Sequence, residues 1–194
     1  MFHQITYQAS KKFHDPINII SNKNSINNPK VALTSNNFAI IVWSQNKYTN
    51  ETLPPNSTIN DLINSQEIWG AIYDFNLNKI TNVWKINDDN MLGNYNPSIT
   101  VDKNDIGTVC WSVFNNNNSK IFSKNIFLNG NQWVSSNGLN VSSIQGYNNQ
   151  VKLRTLNDGE VKAVWINHSN NGEENENKIM SNSFFGNNWK VDSI

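Results

Sequence analysis

The chain has 194 residues and a formal net charge of zero, with 37% hydrophobic, 11% aromatic and 15% charged residues. This composition is typical of one globular domain with a hydrophobic core and excludes a disordered polyelectrolyte. The pI of about 6.8 argues against a nucleic-acid partner, because proteins that bind nucleic acids carry clustered basic surfaces. No apolar run is long enough for a membrane span, and the first residues lack the basic and apolar regions of a signal peptide. We therefore expect a soluble protein whose localisation the sequence does not determine.

The first 27 residues predict the outer half of a repeating unit. The segment His3–Phe13 resembles the third strand of such a unit with its turn, and Asp15–Ser21 resembles its fourth strand. Asparagine is abundant, with 40 residues. Because its side chain bonds to nearby backbone and tolerates left-handed conformations, this abundance predicts many turns between short strands.

Three repeats follow, and each begins with two strands joined by a polar turn. Each second strand ends on a tryptophan, namely Trp43, Trp111 or Trp165. The matching segments are NPKVALTSNNFAIIVWS (Asn28–Ser44), NPSITVDKNDIGTVCWS (Asn96–Ser112) and NQVKLRTLNDGEVKAVWIN (Asn149–Asn167). Since the flanking residues are apolar on both strand faces, we predict that the three tryptophans pack between neighbouring sheets.

A loop and a third strand follow in every repeat, and a turn then leads to a second tryptophan. The third strands are Glu67–Phe75, Lys120–Phe127 and Lys178–Phe185, and the second tryptophans are Trp84, Trp133 and Trp189. The loop of the first repeat is an insertion at residues 45–66, rich in proline and polar residues and therefore exposed. Within it, Thr58–Glu67 is the best helical segment and predicts one or two turns.

Four short antiparallel strands in about 50 residues are the period of a β-propeller blade. We predict an all-β fold, a β-propeller-like array of about three and a half four-stranded antiparallel blades. The blades occupy residues 1–27 (an outer half-blade), 28–95, 96–148 and 149–194. A β-sandwich is the structural alternative, although it does not require such internal similarity.

Three and a half blades are few for a closed ring. The half-blade could act as a thin fourth blade, the chain could form an open arc, or copies could associate into a homo-oligomer that completes the ring. Open sheet edges and faces favour association.

The aromatic residues outside the predicted core are the candidate ligand-binding residues. Trp84, Trp133 and Trp189 follow polar turns, where they either clamp the outer strand or present a ring face to a sugar. Trp69 and Tyr73 belong to the repeat with the insertion and alternate with smaller residues, as on a half-buried strand. Both interpretations remain open for all five residues.

The polar residues do not form a recognisable catalytic or metal-binding pattern. Asp102 and Asp105 resemble part of a calcium loop, but the position that needs a bidentate glutamate is Val113, so a turn is favoured. The histidines His3, His14 and His168 lack ligand spacing, and Cys110 is alone. Because no nucleophile, zinc or phosphate-binding motif is present, we predict no catalytic residue, metal or cofactor.

Two turns carry a resemblance to a known family. FLNGNQW (Phe127–Trp133) and FFGNNW (Phe184–Trp189) resemble the Asp-box turn of sialidase-like, BNR-type β-propeller repeat proteins. The box has an aspartate where this chain has Leu128 and Phe184. The resemblance implies a propeller fold, and sialidases of this kind hold their substrate carboxylate with three arginines. This chain has a single arginine, Arg154, so the resemblance implies the fold without the activity.

These observations favour a non-catalytic binding or interaction module. The expected partner is a glycan or a protein, recognised by aromatic and asparagine-rich loops. The alternative is a structural subunit of a self-associating assembly on a particle or cell surface. A glycoside hydrolase ranks third.

Overall fold

The computed structural model describes residues 16, 18–21, 24–49, 52–89, 92–115, 118–143, 145–170 and 175–190. This part of the chain is almost entirely β-structure. It forms three antiparallel sheets with four main strands each, and in each sheet the main strands lie in chain order. One parallel bridge between Ser119 and Tyr147 joins the second sheet to the third.

The strand bounds are as follows. The first sheet contains β1 (Ile26–Leu33), β2 (Phe38–Asn46), β3 (Gln66–Asp74) and β4 (Lys79–Lys85), with helix α1 (Ile59–Asn64) between β2 and β3. The second sheet contains β5 (Gly93–Val101), β6 (Gly107–Asn115), β7 (Asn118–Asn129) and β8 (Gln132–Ser135), and the short β9 (Leu139–Asn140) also pairs with β7. The third sheet contains β10 (Tyr147–Thr155), β11 (Val161–Asn170), β12 (Asn175–Phe185) and β13 (Asn188–Trp189).

The predicted all-β architecture of antiparallel sheets is confirmed. The helix predicted within Thr58–Glu67 is also present as α1, and Thr58 caps it by accepting a hydrogen bond from the Asp61 amide. The predicted half-blade lies mostly outside the described residues, as do His3 and His14.

Two of the three core tryptophans pack between neighbouring sheets of the described structure, as predicted. Trp111 packs between the first and second sheets beside Ile40 and Val42. Trp165 packs between the second and third sheets. Trp43 lies on the other face of the first sheet, where Ile20 from the preceding segment contacts the same cluster. All three indoles are at most 2% exposed, so each of these sheet faces is held by an apolar interface.

Asparagine has a structural role that its turn propensity did not predict. The indole Nε1 of Trp111 donates to Oδ1 of Asn94 at 2.9 Å, and Trp165 donates to Asn148 at 2.8 Å. Both amides are at most 1% exposed. In the first sheet the Trp43 indole Nε1 donates to Oε1 of Gln45 at 3.2 Å. Buried amides therefore satisfy the polar end of each core indole.

Left-handed residues form the predicted turns. Gly130 and Gly186, in the two turns that resemble the Asp box, both have φ of 60°, and Gly159 has φ of 91°. The Asp102 carboxylate accepts hydrogen bonds from the amides of Asn104 and Ile106 at 2.8 and 2.9 Å. The interpretation of Asp102 as a turn residue is therefore confirmed.

Candidate functional site: an axial pocket

The first strands of the three sheets lie next to one another, with β5 between β1 and β10. Strands β5 and β10 are linked by the Oγ1 atoms of Thr100 and Thr155, 2.9 Å apart, and by the Leu153 amide, which donates to the Ser98 hydroxyl at 3.2 Å. Strands β1 and β5 are linked by Asn28 Nδ2, which donates to Asn96 Oδ1 at 2.9 Å. These strands define the axis around which the sheets are arranged.

Each axial strand contains a β-bulge at the same position. The residue in each bulge has a left-handed backbone, with φ of 53° at Asn28, 52° at Asn96 and 55° at Gln150. Asparagine tolerates this region, but glutamine adopts it rarely. Left-handed residues of this kind concentrate at functional sites, where the surrounding structure maintains them. The sequence alignment matches Gln150 with Pro97. The bulges instead match Gln150 with Asn96, so the first strand of the third repeat is shifted by one residue relative to the predicted alignment.

The three bulges surround an axial pocket of about 260 Å³. It is lined by Asn28, Lys30, Asn96, Pro97, Gln150, Val151 and Lys152. Lys30 and Lys152 stand two residues after the bulge in β1 and β10, where β5 has Ser98. The described residues that line this pocket include no carboxylate, and neither lysine forms an ion pair with another described residue. The pocket thus offers amide donors and acceptors together with two cations.

The axial pocket lies toward one end of the sheets. The bulges fall opposite the C-terminal part of the second strands, as shown by the pairing of Asn27 with Ser44 and of Lys30 with Val42. The insertion leaves the first sheet at this same end, directly after Asn46. We call this the insertion end.

The insertion encloses a second cavity, the insertion pocket, of about 350 Å³. Its lining residues are Lys47, Tyr48, Pro54, Pro55, Asn56, Ser57, Asp61, Asn64 and Ser65. The base of the loop is closed by the Lys47 amide, which donates to the Ser65 carbonyl at 2.8 Å, and by the Ser65 hydroxyl, which donates to Asn46 Oδ1 at 2.7 Å. Tyr95 on β5 donates its hydroxyl to the Ile63 carbonyl, which ties the insertion to the second sheet. Burial raises the pKa of Tyr95 to about 12.

Three carboxylates at the insertion end pair with lysines. Glu67 lies 3.4 Å from Lys85, which also pairs with Asp89. Asp88 lies 2.7 Å from Lys124. The hydrogen bond from Lys85 lowers the pKa of Asp89. A general acid needs the opposite shift, a carboxyl whose pKa is raised toward neutrality.

Trp69 and Tyr73, two of the predicted ligand-binding residues, lie on the outer face of the first sheet. Trp69 is half-buried against the cluster that contains Trp43, and its Nε1 donates to Glu67 at 3.0 Å. Tyr73 is 7% exposed, contacts Phe75 edge to face, and donates its hydroxyl to Asn78. The structure does not bring these residues to the axial pocket.

The other three predicted residues are half-buried at sheet interfaces. Trp133 contacts Phe38 of the first sheet edge to face, with ring centroids 5.4 Å apart. Trp189 donates its Nε1 to the Ser123 hydroxyl of the second sheet at 2.8 Å. Trp84 packs on the core between the first and second sheets. Their contacts bind one sheet to another, and a role in ligand binding stays a prediction.

Trp84 does not occupy the same position as the other two. Trp133 pairs with Leu128 and Trp189 pairs with Phe184, directly after the turn in both sheets. In the first sheet the residue at that position is Ile80, which pairs with Tyr73. Trp84 lies four residues further along and pairs with Gly70 on the opposite sheet face. The turn at 75–78 is two residues longer than its counterparts, and a β-bulge in the pairing opposite Ile72 and Tyr73 places Trp84 on the opposite face from Ile80.

Sequence reasoning missed the axial residues as a site. The signal was present, because Asn28-Pro29 and Asn96-Pro97 open two repeats, but the pattern was used only to mark the repeat. Among the described residues no set of three or more His, Cys, Asp or Glu side chains is placed to hold a metal ion. Within the same ranges no helix is long and apolar enough to cross a membrane.

No protein-family model and no curated protein matches the chain. Solved structures do. An uncharacterised protein from Dyadobacter fermentans is similar with a TM-score of 0.61 and 10% identity, over 87% of this chain and 54% of that one. A thermostable family-43 glycoside hydrolase is similar with a TM-score of 0.57 and 14% identity, over 91% and 60% of the two chains. An endo-1,4-beta-xylanase from Bacteroides thetaiotaomicron is similar with a TM-score of 0.54 and 13% identity, also over 91% and 60%.

The chain has a propeller-like fold. The two glycoside hydrolases are propeller-type structures, so the predicted fold class is confirmed at the level of architecture. At 10–14% identity the similarity concerns the fold alone. The chain spans 54–60% of the length of these three structures.

Proposed function

We propose that this chain is a non-catalytic glycan-binding module whose ligand occupies the axial pocket. The observation that supports this most strongly is the set of three amide side chains, Asn28, Asn96 and Gln150, on the left-handed bulges around the axis. Amides donate and accept hydrogen bonds, as sugar hydroxyls do, and Lys30 and Lys152 add donors beside them. The similar propeller-type structures include hydrolases of glycans, which makes a saccharide a reasonable ligand class for a pocket on this axis.

The absence of catalysis in this proposal rests on the chemistry of the pocket. Glycoside hydrolysis commonly uses a pair of carboxyl groups on either side of the scissile bond, one of them with a raised pKa. The described lining of the axial pocket has amides and lysines in place of carboxylates. Among the described carboxyl groups, those of Asp61, Asp89 and Glu160 have shifted pKa values, and hydrogen bonds from neighbouring residues lower all three.

Calorimetric titration tests the proposal with two oligosaccharide series. One is neutral, xylobiose to xylohexaose, and the other is acidic, digalacturonate to hexagalacturonate, since the pocket holds both amides and cations. We expect at least one series to bind and Asn96→Ala to weaken binding about tenfold, the equivalent of about 1.4 kcal/mol. Asn131→Ala, in the exposed turn between β7 and β8, is the matched control and should bind like the wild type.

Two results contradict the proposal. If no member of either series binds, the glycan ligand is wrong. If chromatography shows that the wild type cleaves xylohexaose or hexagalacturonate, and a single carboxylate substitution abolishes this, the chain is an enzyme.

A second candidate function is self-assembly, and the outer face of the third sheet favours it. Ile179 is 82% exposed and Val164 is 42% exposed on β12 and β11. The corresponding faces of the first and second sheets are covered by the next sheet, so we propose a second copy of the chain as the partner that covers this one. Light scattering should then show a mass that rises with concentration, and Ile179→Lys should abolish the rise. A monomer at every concentration would contradict this candidate.

A further inference from the structure

We propose that the insertion pocket is a second saccharide subsite, so that the ligand is an oligosaccharide long enough to reach from the axial pocket into the insertion. This inference rests on the proposed function, because it extends the same binding site. It also gives the insertion a role that the other two sheets lack, since their loops between the second and third strands are much shorter.

The insertion pocket has the chemistry that a sugar ring requires. Tyr48 and the rings of Pro54 and Pro55 provide apolar surface for the C–H face of a sugar. Asn56 and Asn64 provide amide groups for its hydroxyls. The side chains of Tyr48, Asn56 and Asn64 form no hydrogen bond with any described residue, so their polar atoms are available to a ligand.

The pocket is held in shape before a ligand arrives. Hydrogen bonds close the base of the loop at Lys47, Ser65 and Asn46, and Tyr95 ties the helix end to β5. Thr58 and Asp61 cap α1 together. The Asp61 carboxylate accepts a hydrogen bond from the Thr58 amide, and the Asp61 amide donates to the Thr58 hydroxyl. A preformed pocket loses less conformational entropy when a ligand binds than a flexible loop does.

The two pockets are neighbours at the insertion end. The Asn46 amide donates to the Ser25 carbonyl at 3.0 Å, so the start of the insertion lies beside the start of β1. Asn28 in the axial pocket is three residues from Ser25, or about 10 Å along an extended strand. Tyr48 in the insertion pocket follows Asn46 by two residues in the chain. A short saccharide therefore fills the axial pocket alone, whereas a longer one contacts both.

Dependence of affinity on chain length is the test. Wild-type protein is titrated with the two-, four- and six-residue members of the xylose and galacturonate series. In the series that binds, we expect the six-residue member to bind at least tenfold more tightly than the two-residue member. Tyr48→Ala should lower the affinity for the six-residue member to the level of the two-residue member and leave the latter unchanged.

Two further variants separate a binding role from a structural one. Tyr48→Phe keeps the ring and should retain most of the length dependence. Asn56→Gly preserves the left-handed backbone, at φ of 66°, and removes only the side-chain amide. It should therefore lower the affinity for the six-residue ligand but not for the two-residue ligand. Asn96→Ala should weaken ligands of every length.

The outcomes distinguish this inference from the proposed function. Equal affinity for the two- and six-residue ligands overturns the second subsite and leaves the glycan-binding function intact. Length dependence that survives Tyr48→Ala and Asn56→Gly, in variants with unchanged circular dichroism, also overturns it. Failure of every oligosaccharide to bind overturns both.

Discussion

The indole Nε1 of Trp165 donates a 2.8 Å hydrogen bond to Oδ1 of Asn148, and both residues are at most 1% exposed. Asn148 also accepts from Asn167 Nδ2 at 3.0 Å and donates to the Ser119 carbonyl at 2.7 Å. One amide side chain thus joins the core of the third sheet to β7 of the second. Asparagine, which the sequence indicated as a turn residue, is here an inner link between sheets.

Replacement of this amide should destabilise the protein strongly. Asn148→Ala leaves the Trp165 N–H buried without a partner and removes the side-chain hydrogen bond to the Ser119 carbonyl, so we expect a loss of about 3 kcal/mol in the free energy of unfolding. Asn94→Ala leaves fewer groups without a hydrogen-bond partner and should lower the free energy of unfolding by about 2 kcal/mol. Urea denaturation measures both, and the exposed Asn131→Ala should change stability by less than about 0.5 kcal/mol. Equal values for Asn148→Ala and Asn131→Ala would contradict the link.

Trp133 should contribute to stability through its contact with Phe38. Trp133→Ala removes a half-buried ring at the interface of two sheets, and we expect it to cost about 2 kcal/mol. Trp133→Phe keeps an aromatic ring and should cost less than about 1 kcal/mol. If Trp133→Ala is as stable as the wild type but binds oligosaccharide more weakly, the tryptophan serves the ligand instead of the interface.

A side chain at Gly130 should destabilise the turn only through its effect on the backbone conformation. A Cβ atom added there meets no atom within 4 Å, but φ is 60°. Gly130→Ala should therefore cost about 1 kcal/mol from the left-handed conformation. Gly130→Asn should cost less, because asparagine tolerates this region. Thermal unfolding of the two variants gives the comparison, and the reverse order would be inconsistent with a purely conformational cost.

Glu160 should make stability depend on acid pH. Hydrogen bonds from Lys190 and Lys162, with a smaller one from Ser183, lower the pKa of its carboxyl from 4.5 to about 2. Since the pKa is lower in the folded state, the stabilisation is present above about pH 4.5 and is lost as pH falls toward 2. Unfolding curves measured from pH 6 to pH 2 should show that the free energy of unfolding falls less steeply with acid in Glu160→Gln than in the wild type. Parallel curves would rule out this contribution.

Tyr95 should show the opposite dependence at alkaline pH. Burial raises its pKa from 10.0 to about 12, so the stabilisation is complete below pH 10 and falls as pH rises through 12. Spectrophotometric titration should include a phenol that ionises late, and Tyr95→Phe should remove that contribution. The same variant loses the bond to Ile63, so limited proteolysis within residues 47–65 should become faster. A late component that persists in Tyr95→Phe belongs to another tyrosine.

The fold could be predicted from the sequence because its signals are local. Short runs of apolar and β-branched residues indicate the strands, glycine and asparagine indicate the turns, and a tryptophan closes each second strand. Repetition of this pattern at Trp43, Trp111 and Trp165 was sufficient to indicate stacked sheets with a core between them. The same local reasoning failed at Trp84, because the β-bulge opposite Ile72 and Tyr73 adds a residue to β4 and so moves the following side chains to the other sheet face.

The site depended on the tertiary structure. Asn28, Asn96 and Gln150 lie far apart in the chain, and each by itself is one polar residue in a strand with many others. Only the packing of three sheets around one axis brings them together, and only the backbone shows that all three are left-handed. The sequence by itself determined the strands, turns and buried tryptophans, since these follow from the immediate neighbours of each residue. Tertiary packing decided the pocket, because contacts between distant strands create it.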